Sequence, residues 1–90
     1  MKIEIKKFGK ILVSRPDGRE AFSSAKAYIF PKEMKEITLD FDGVDVLAPS
    51  WADEFISGIK NNFKDIKIDF INTDNQSVKA TLDILLSLSN

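Results

Sequence analysis

Asp40 and Asp42 open a stretch in which Asp45, Asp53 and Glu54 follow without one basic residue, so five carboxylates fall between positions 40 and 54. Paired carboxylates are the groups that can attack phosphorus, pass a proton and hold magnesium, which makes Asp40 and Asp42 the first candidates for chemistry. Much of the common catalytic repertoire is missing. The 90 residues include no His and no Cys, which removes the commonest general base, thiol nucleophiles, disulfides and the usual zinc ligands.

The elements that must position these groups are short. A chain of 90 residues, 43% hydrophobic and 30% charged, makes a single domain over 1–90. Nearly all its apolar residues must enter one core. Ile3, Ile5 and Phe8, then Ile11 and Val13 across Gly9-Lys10, predict an N-terminal hairpin. Pro16-Asp17-Gly18 reads as a turn, and Phe22, Ala25 and Ile29 predict a helix from about Arg19 that Pro31 ends. Ile37, Leu39 and Phe41 alternate with Thr38, Asp40 and Asp42, as Ile66, Ile68 and Phe70 do with Lys67 and Asp69. Both are half-buried strands.

Ser50-Trp51-Ala52-Asp53 has the spacing of a capping box, with Ser50 as the expected N-cap. Ala52, Phe55, Ile56, Ile59 and Phe63 then define one apolar face of a second helix. Asn72-Thr73-Asp74-Asn75 is a run of turn and cap formers before a third helix that starts with Val78, Leu82, Leu85 and Leu86. Ile84 and Leu88 add a second apolar stripe to that helix, suited to a homodimer or partner contact, or to a helix wedged at the sheet edge. The expected fold is α/β in the order β-β-α-β-α-β-α, with a mixed, mostly parallel four-stranded sheet. Polar alternation along the strands puts the helices mainly on one face.

Charge narrows the partner. Residues 1–20 hold six basic and three acidic side chains, and residues 21–90 hold seven and eleven. With a net charge of −1 and an isoelectric point near 5.3, the chain lacks the basic footprint that nucleic acid requires. The alternating basic start contains no apolar signal segment, and no stretch is long and apolar enough to span a membrane. The expected location is the cytoplasm.

Leu39-Asp40-Phe41-Asp42-Gly43-Val44 looks like the nucleophile motif of the haloacid dehalogenase-like phosphatases. That likeness would make Asp40 the nucleophile and Asp42 the acid/base. Only 46 residues follow Val44, too few for the charge-stabilising lysine and further metal ligands that such chemistry needs. The wider run from Leu39 to Phe55 resembles the signature of the STAS-like domains of unknown function, roughly Leu-Asp-Phe-x-Gly-Val, some apolar residues, then Pro-Ser-Phe-Ala-Asp-Glu-Leu. Trp51 stands where the family has Phe, and Phe55 where it has Leu. Gly9, the Ser14-Arg15 pair, Asn72 and Asn75 extend the likeness over nearly the whole chain.

These domains are similar to STAS modules, the sulfate transporter and anti-sigma factor antagonist domains. The antagonists are bacterial signalling proteins that dock on kinase-like ATPases and carry a phosphorylatable serine at the start of the helix after the central strand. Ser50 takes that position here. Ala48-Pro49 replaces the usual Asp-Ser before it, and Asp53 with Glu54 would repel a phosphate. The resemblance implies a non-enzymatic regulatory domain with no cofactor or metal. Its partner would be a histidine-kinase-like ATPase or an anti-sigma factor, bound through the Asp45–Glu54 loop and helix start. Arg15, Pro49, Ser50, Trp51, Asp53 and Glu54 are the expected contact residues. Arg15 could instead pair with Asp40 or Asp42. A small-ligand or nucleotide sensor near Arg15 and Asp40 is the alternative, and whether the acidic stretch binds a cation is left open.

Overall fold

Ile5 and Phe8 lie three residues apart with two exposed lysines between them, a spacing that suits a 3-10 turn better than a strand. The computed structural model, which describes residues 1–88, winds Ile5–Phe8 that way and buries Ile5 completely. The chain order is β1 (Lys2–Glu4), the 3-10 turn, β2 (Ile11–Leu12), α1 (Arg15–Tyr28), β3 (Glu36–Asp40), β4 (Val46–Leu47), α2 (Pro49–Asn62), β5 (Lys67–Ile71) and α3 (Gln76–Leu88). The expected hairpin does not form. β1 pairs with β3 and β2 with β4, both parallel. The single four-stranded mixed sheet is therefore replaced by two parallel sheets, β1-β3-β5 and β2-β4.

Ile3, Ile37 and Leu39 are buried, while Lys2, Glu4, Glu36, Lys67 and Asp69 on the opposite face are exposed. This alternation leaves one face of the three-stranded sheet to water and the other to the helices. α2 buries Ala52, Phe55, Ile56 and Ile59, and Phe63 just beyond its end. The apolar face expected for the second helix is thus the face that packs.

α1 begins four residues before its expected start. Ser14 is its N-cap, with the hydroxyl accepting from the Asp17 amide at 3.1 Å. Pro16 sits in the first turn, where its missing N–H costs nothing. Pro16-Asp17-Gly18 is therefore the opening of the helix rather than a loop. A Cβ on Gly18 would lie 2.5 Å from the Trp51 carbonyl oxygen, so α1 and α2 meet backbone to backbone at this point.

α3 turns away from β5 and settles against β4. The Ser77 hydroxyl accepts from the Leu47 amide at 2.9 Å, and the Ser77 and Thr81 hydroxyls both reach the Leu47 carbonyl. Val78, Thr81 and Leu82 are buried. Of the second stripe expected on this helix, Ile84 is 47% exposed, and the Leu88 side chain lies outside the described residues.

Replacing Gly18 with Ala is expected to destabilise the domain by about 2 kcal/mol in urea unfolding, because overpacking outweighs alanine's better helix propensity. A stabilised variant would mean that the two helices are not in backbone contact. Ser14→Ala is expected to cost about 1 kcal/mol, as loss of an N-cap does.

Candidate functional site

β2 and β4 run side by side in parallel, and each leads at once into a helix. The starts of α1 and α2 are consequently neighbours. The Ser50 hydroxyl ties them together by donating to the Val13 carbonyl at 2.9 Å. Above this tie, Arg15 Nη1 donates to Asp53 Oδ2 at 2.9 Å and to Glu54 Oε1 at 3.3 Å. Arg19 Nη2 reaches the same Glu54 oxygen at 3.3 Å. The Ser57 hydroxyl donates to Asp53 Oδ1 at 3.1 Å. The Arg15 bond, followed by that of Ser57, holds the Asp53 carboxyl below its ordinary pKa against the opposing effect of partial burial. Arg15 and Asp53 are about half exposed, at 47% and 44%. Such pairs orient a surface more than they stabilise a fold.

Ile11, Val13 and Val46 are exposed on the segments that lead into the two helices, with Ile11 and Val46 adjacent across the β2-β4 pair and Ile11 lining a cleft with Asp17, Glu20 and Ser24 of α1. Pro49 is exposed as well. The helix starts thus combine the exposed Val13 and Pro49 with a network of two arginines and two carboxylates.

Several expectations for this region need correction. Ser50 does not cap α2. Pro49 occupies the first turn and Ala48 the cap position without a side-chain bond, because a proline at the first helical residue forces the cap onto its predecessor. Trp51 is only 2% exposed. Its ring stacks on Phe55 at 5.1 Å and 14°, with Phe8 at 6.1 Å, so it packs the core and offers no surface anchor. Arg15 pairs with Asp53 and Glu54 rather than with Asp40 or Asp42. Arg15 and Arg19 also balance the two carboxylates that were expected to repel a phosphate on Ser50.

The acidic stretch is divided in space. Asp40, at the end of β3, is 5% exposed. Its Oδ1 accepts from Asn72 Nδ2 at 2.8 Å and from the Asp42 amide at 3.0 Å, and Oδ2 lies 3.5 Å from Lys2 Nζ. The Asn72 bond above all, then the Asp42 amide and Lys2, hold the Asp40 carboxyl below its ordinary pKa, although burial opposes them. Gly43, at φ +84°, allows the turn that the Val44 amide closes on the Phe41 carbonyl at 3.1 Å. Asn75 caps α3 by accepting from the Val78 amide at 3.1 Å and donates to the Asp45 carbonyl at 3.2 Å. In this arrangement Asp40 shapes the loop, and Asp42 and Asp45 are exposed. Among the described residues no group of three or more His, Cys, Asp or Glu could hold a metal ion.

The capping role of Ser14 and the parts of Arg19 and Ser57 in the network are not among the sequence expectations. Ser14 could have been found, since Ser14-Arg15-Pro16-Asp17 has capping-box spacing with Pro in the first turn. Arg19 had only its spacing of four from Arg15, which places both on one helical face.

The model of a protein family described as "STAS-like domain of unknown function (DUF4325)" matches residues 26–78. The chain belongs to this family. The matched span of the STAS-like domain runs from α1 into α3 and takes in the Leu39–Phe55 signature, Asn72 and Asn75. Gly9 and the Ser14-Arg15 pair precede it. No curated protein and no solved structure matches the chain. Among the described residues of this STAS-like domain, no helix is long and apolar enough to cross a membrane.

The folded pKa of Asp40 lies below that of the unfolded chain, near 3.9. Asp40 therefore adds stability that is present above that value and fades as pH falls through the folded one. The gap in urea stability between the wild type and Asp40→Asn is expected to shrink on acidification from about pH 6 to 3. A gap that stays constant would show that the ionised carboxylate is not what the Asn72 amide and the Asp42 amide hold.

Proposed function

We propose that this STAS-like domain is a non-enzymatic regulatory module of the cytoplasm that docks on a protein partner where α1 and α2 begin. One observation carries this reading: Val13, 49% exposed, accepts the Ser50 hydroxyl at its carbonyl and lies two residues before Arg15 of the Arg15-Asp53-Glu54-Arg19 network, so an exposed apolar side chain and a charged group occur together where the two helices begin, the mixture of contacts that a docking surface uses. A histidine-kinase-like ATPase or an anti-sigma factor is the class of partner suggested by the likeness to anti-sigma factor antagonists. That likeness is an analogy of fold rather than of site chemistry.

Ser50 is the proposed switch. Phosphorylation would remove the hydroxyl proton that bonds the Val13 carbonyl and place close to two negative charges at a helix start, where dipole and free amides favour them. The phosphate would also compete with Asp53 for Arg15. The tie between the two helix starts and the charged rim would then change in a single event.

The test is affinity capture from an extract of the source cells, with captured proteins identified by mass spectrometry. The wild type is expected to retain an ATPase or anti-sigma partner, and Val13→Glu, a change at an exposed position, to lose at least about tenfold of it. Equal capture by both folded proteins would move the docking surface elsewhere. A kinase encoded beside this chain is expected to phosphorylate the wild type and not Ser50→Ala. Magnesium-dependent hydrolysis of a phosphate ester that disappears in Asp40→Asn would overturn the non-enzymatic reading.

A further inference from the structure

β5 is the last strand of its sheet. The Lys67 amide donates to the Lys35 carbonyl, and the Ile71 carbonyl accepts from the Phe41 amide. Lys67, Asp69 and Ile71 therefore turn their backbone groups toward β3. By alternation, the amides and carbonyls of Ile66, Ile68 and Phe70 point the other way, along an open edge. Unpaired edges of this kind are templates for a further strand. Because α3 is held on β4 by Ser77 and Thr81, it leaves this edge uncovered. Between β5 and α3 runs a groove of about 170 Å³, lined by Ile66, Ile68 and Phe70 from the strand side and by Leu82 and Leu85 from the helix.

The strand that borders this groove is complementary in charge to its own reverse. Ile66-Lys67-Ile68-Asp69-Phe70 is apolar, cationic, apolar, anionic, apolar. Antiparallel pairing of two such strands about Ile68 sets Ile68 against Ile68 of the other copy, Ile66 against Phe70, and Lys67 against Asp69. The residues that must exchange hydrogen bonds in this register are Ile66, Ile68 and Phe70, whose backbone groups face outward. A register centred one residue later opposes Asp69 to Asp69, and one centred one residue earlier opposes Lys67 to Lys67. Among the described residues neither Lys67 nor Asp69 belongs to an ion pair, so both charges are available.

We infer that two copies of this chain associate through β5, antiparallel and centred on Ile68, to form one continuous six-stranded sheet from the two three-stranded ones. The two-fold axis runs perpendicular to that sheet. Both α3 helices then lie on its same side, with Leu82 and Leu85 of each lining the groove beside the joined strands. This moves the homodimer contact expected on the third helix to the strand beside it, and it leaves the α1-α2 surface open for the proposed partner.

Analytical ultracentrifugation tests the inference. The wild type is expected to be a reversible dimer. Asp69→Lys sets a lysine opposite Lys67 in both symmetry-related pairs and is expected to weaken dimerisation about tenfold, since each cross-strand charge pair counts twice. The double variant Lys67→Asp/Asp69→Lys restores opposite charges and is expected to recover dimerisation. Lys67 and Asp69 are exposed, so circular dichroism should show every variant folded. A wild type that stays monomeric up to about 1 mM overturns the inference. So does a dimer indifferent to Asp69→Lys, or one that the double variant fails to restore. Val13→Glu is expected to leave the dimer unchanged, which separates this contact from the docking surface.

Discussion

The backbone contact between α1 and α2 at Gly18 and Trp51 is the constraint on which the remaining geometry rests. With no Cβ at Gly18, the two helices come close enough for their starts to share a surface. That proximity brings Ser50 to the Val13 carbonyl and Arg15 to Asp53, residues 37 and 38 positions apart in the chain. It also turns the Trp51 ring inward onto Phe55, which makes further ring contacts with Phe8 at 5.4 Å and with Phe22 and Phe30 at 6.4 Å. Phe55 is thereby the hub of an aromatic core that joins the 3-10 turn, α1 and α2. Edge-on and offset ring contacts prefer particular orientations, so such a hub sets helix rotation as well as helix separation.

What was legible in the sequence was whatever repeats. The apolar spacing of α2 and the alternation of β3 extend over enough residues to fix both element and buried face, and the signature from Leu39 to Phe55 identified the family. Features set by one or two residues were not legible. β4 has two residues, which is too few for any period to show. Ile3 and Ile5 satisfy a strand pattern by alternation while Ile5 and Phe8 satisfy a 3-10 turn by spacing, and two residues are too few to choose between the two. The cap of α2 depended on where Pro49 fell within the first turn. Ser50 and Asp53 looked like a capping box because the backbone start was read one residue pair too late. Arg15 found its partners through the approach of two helices, which no local pattern encodes.

The acidic stretch illustrates the same limit at the level of charge. Five carboxylates contiguous in sequence suggest a single electronegative feature. In the fold they serve two structures. Asp53 and Glu54 meet arginines on the helix face, while Asp40 is held by Asn72 and Lys2 at the strand end. Charge density along a chain is thus a poor guide to charge density on a surface when a turn and a helix start intervene. The motif that resembles a phosphatase nucleophile contains a carboxylate that organises its own loop, and the asparagines of the family signature are its partner and the cap of the following helix.

Leu47 is hydrogen bonded on one side by residues 30 and 34 positions later in the chain, the hydroxyls of Ser77 and Thr81. On a ribosome, β4 emerges well before those groups exist. A nascent chain that has made β2, β4 and α2 therefore still carries a bare strand edge beside a buried leucine until α3 has been synthesised and docked. Bare edges and transiently exposed apolar surface are what drive nascent chains to aggregate. Docking of α3 is consequently the step that covers the β4 edge of a newly made domain.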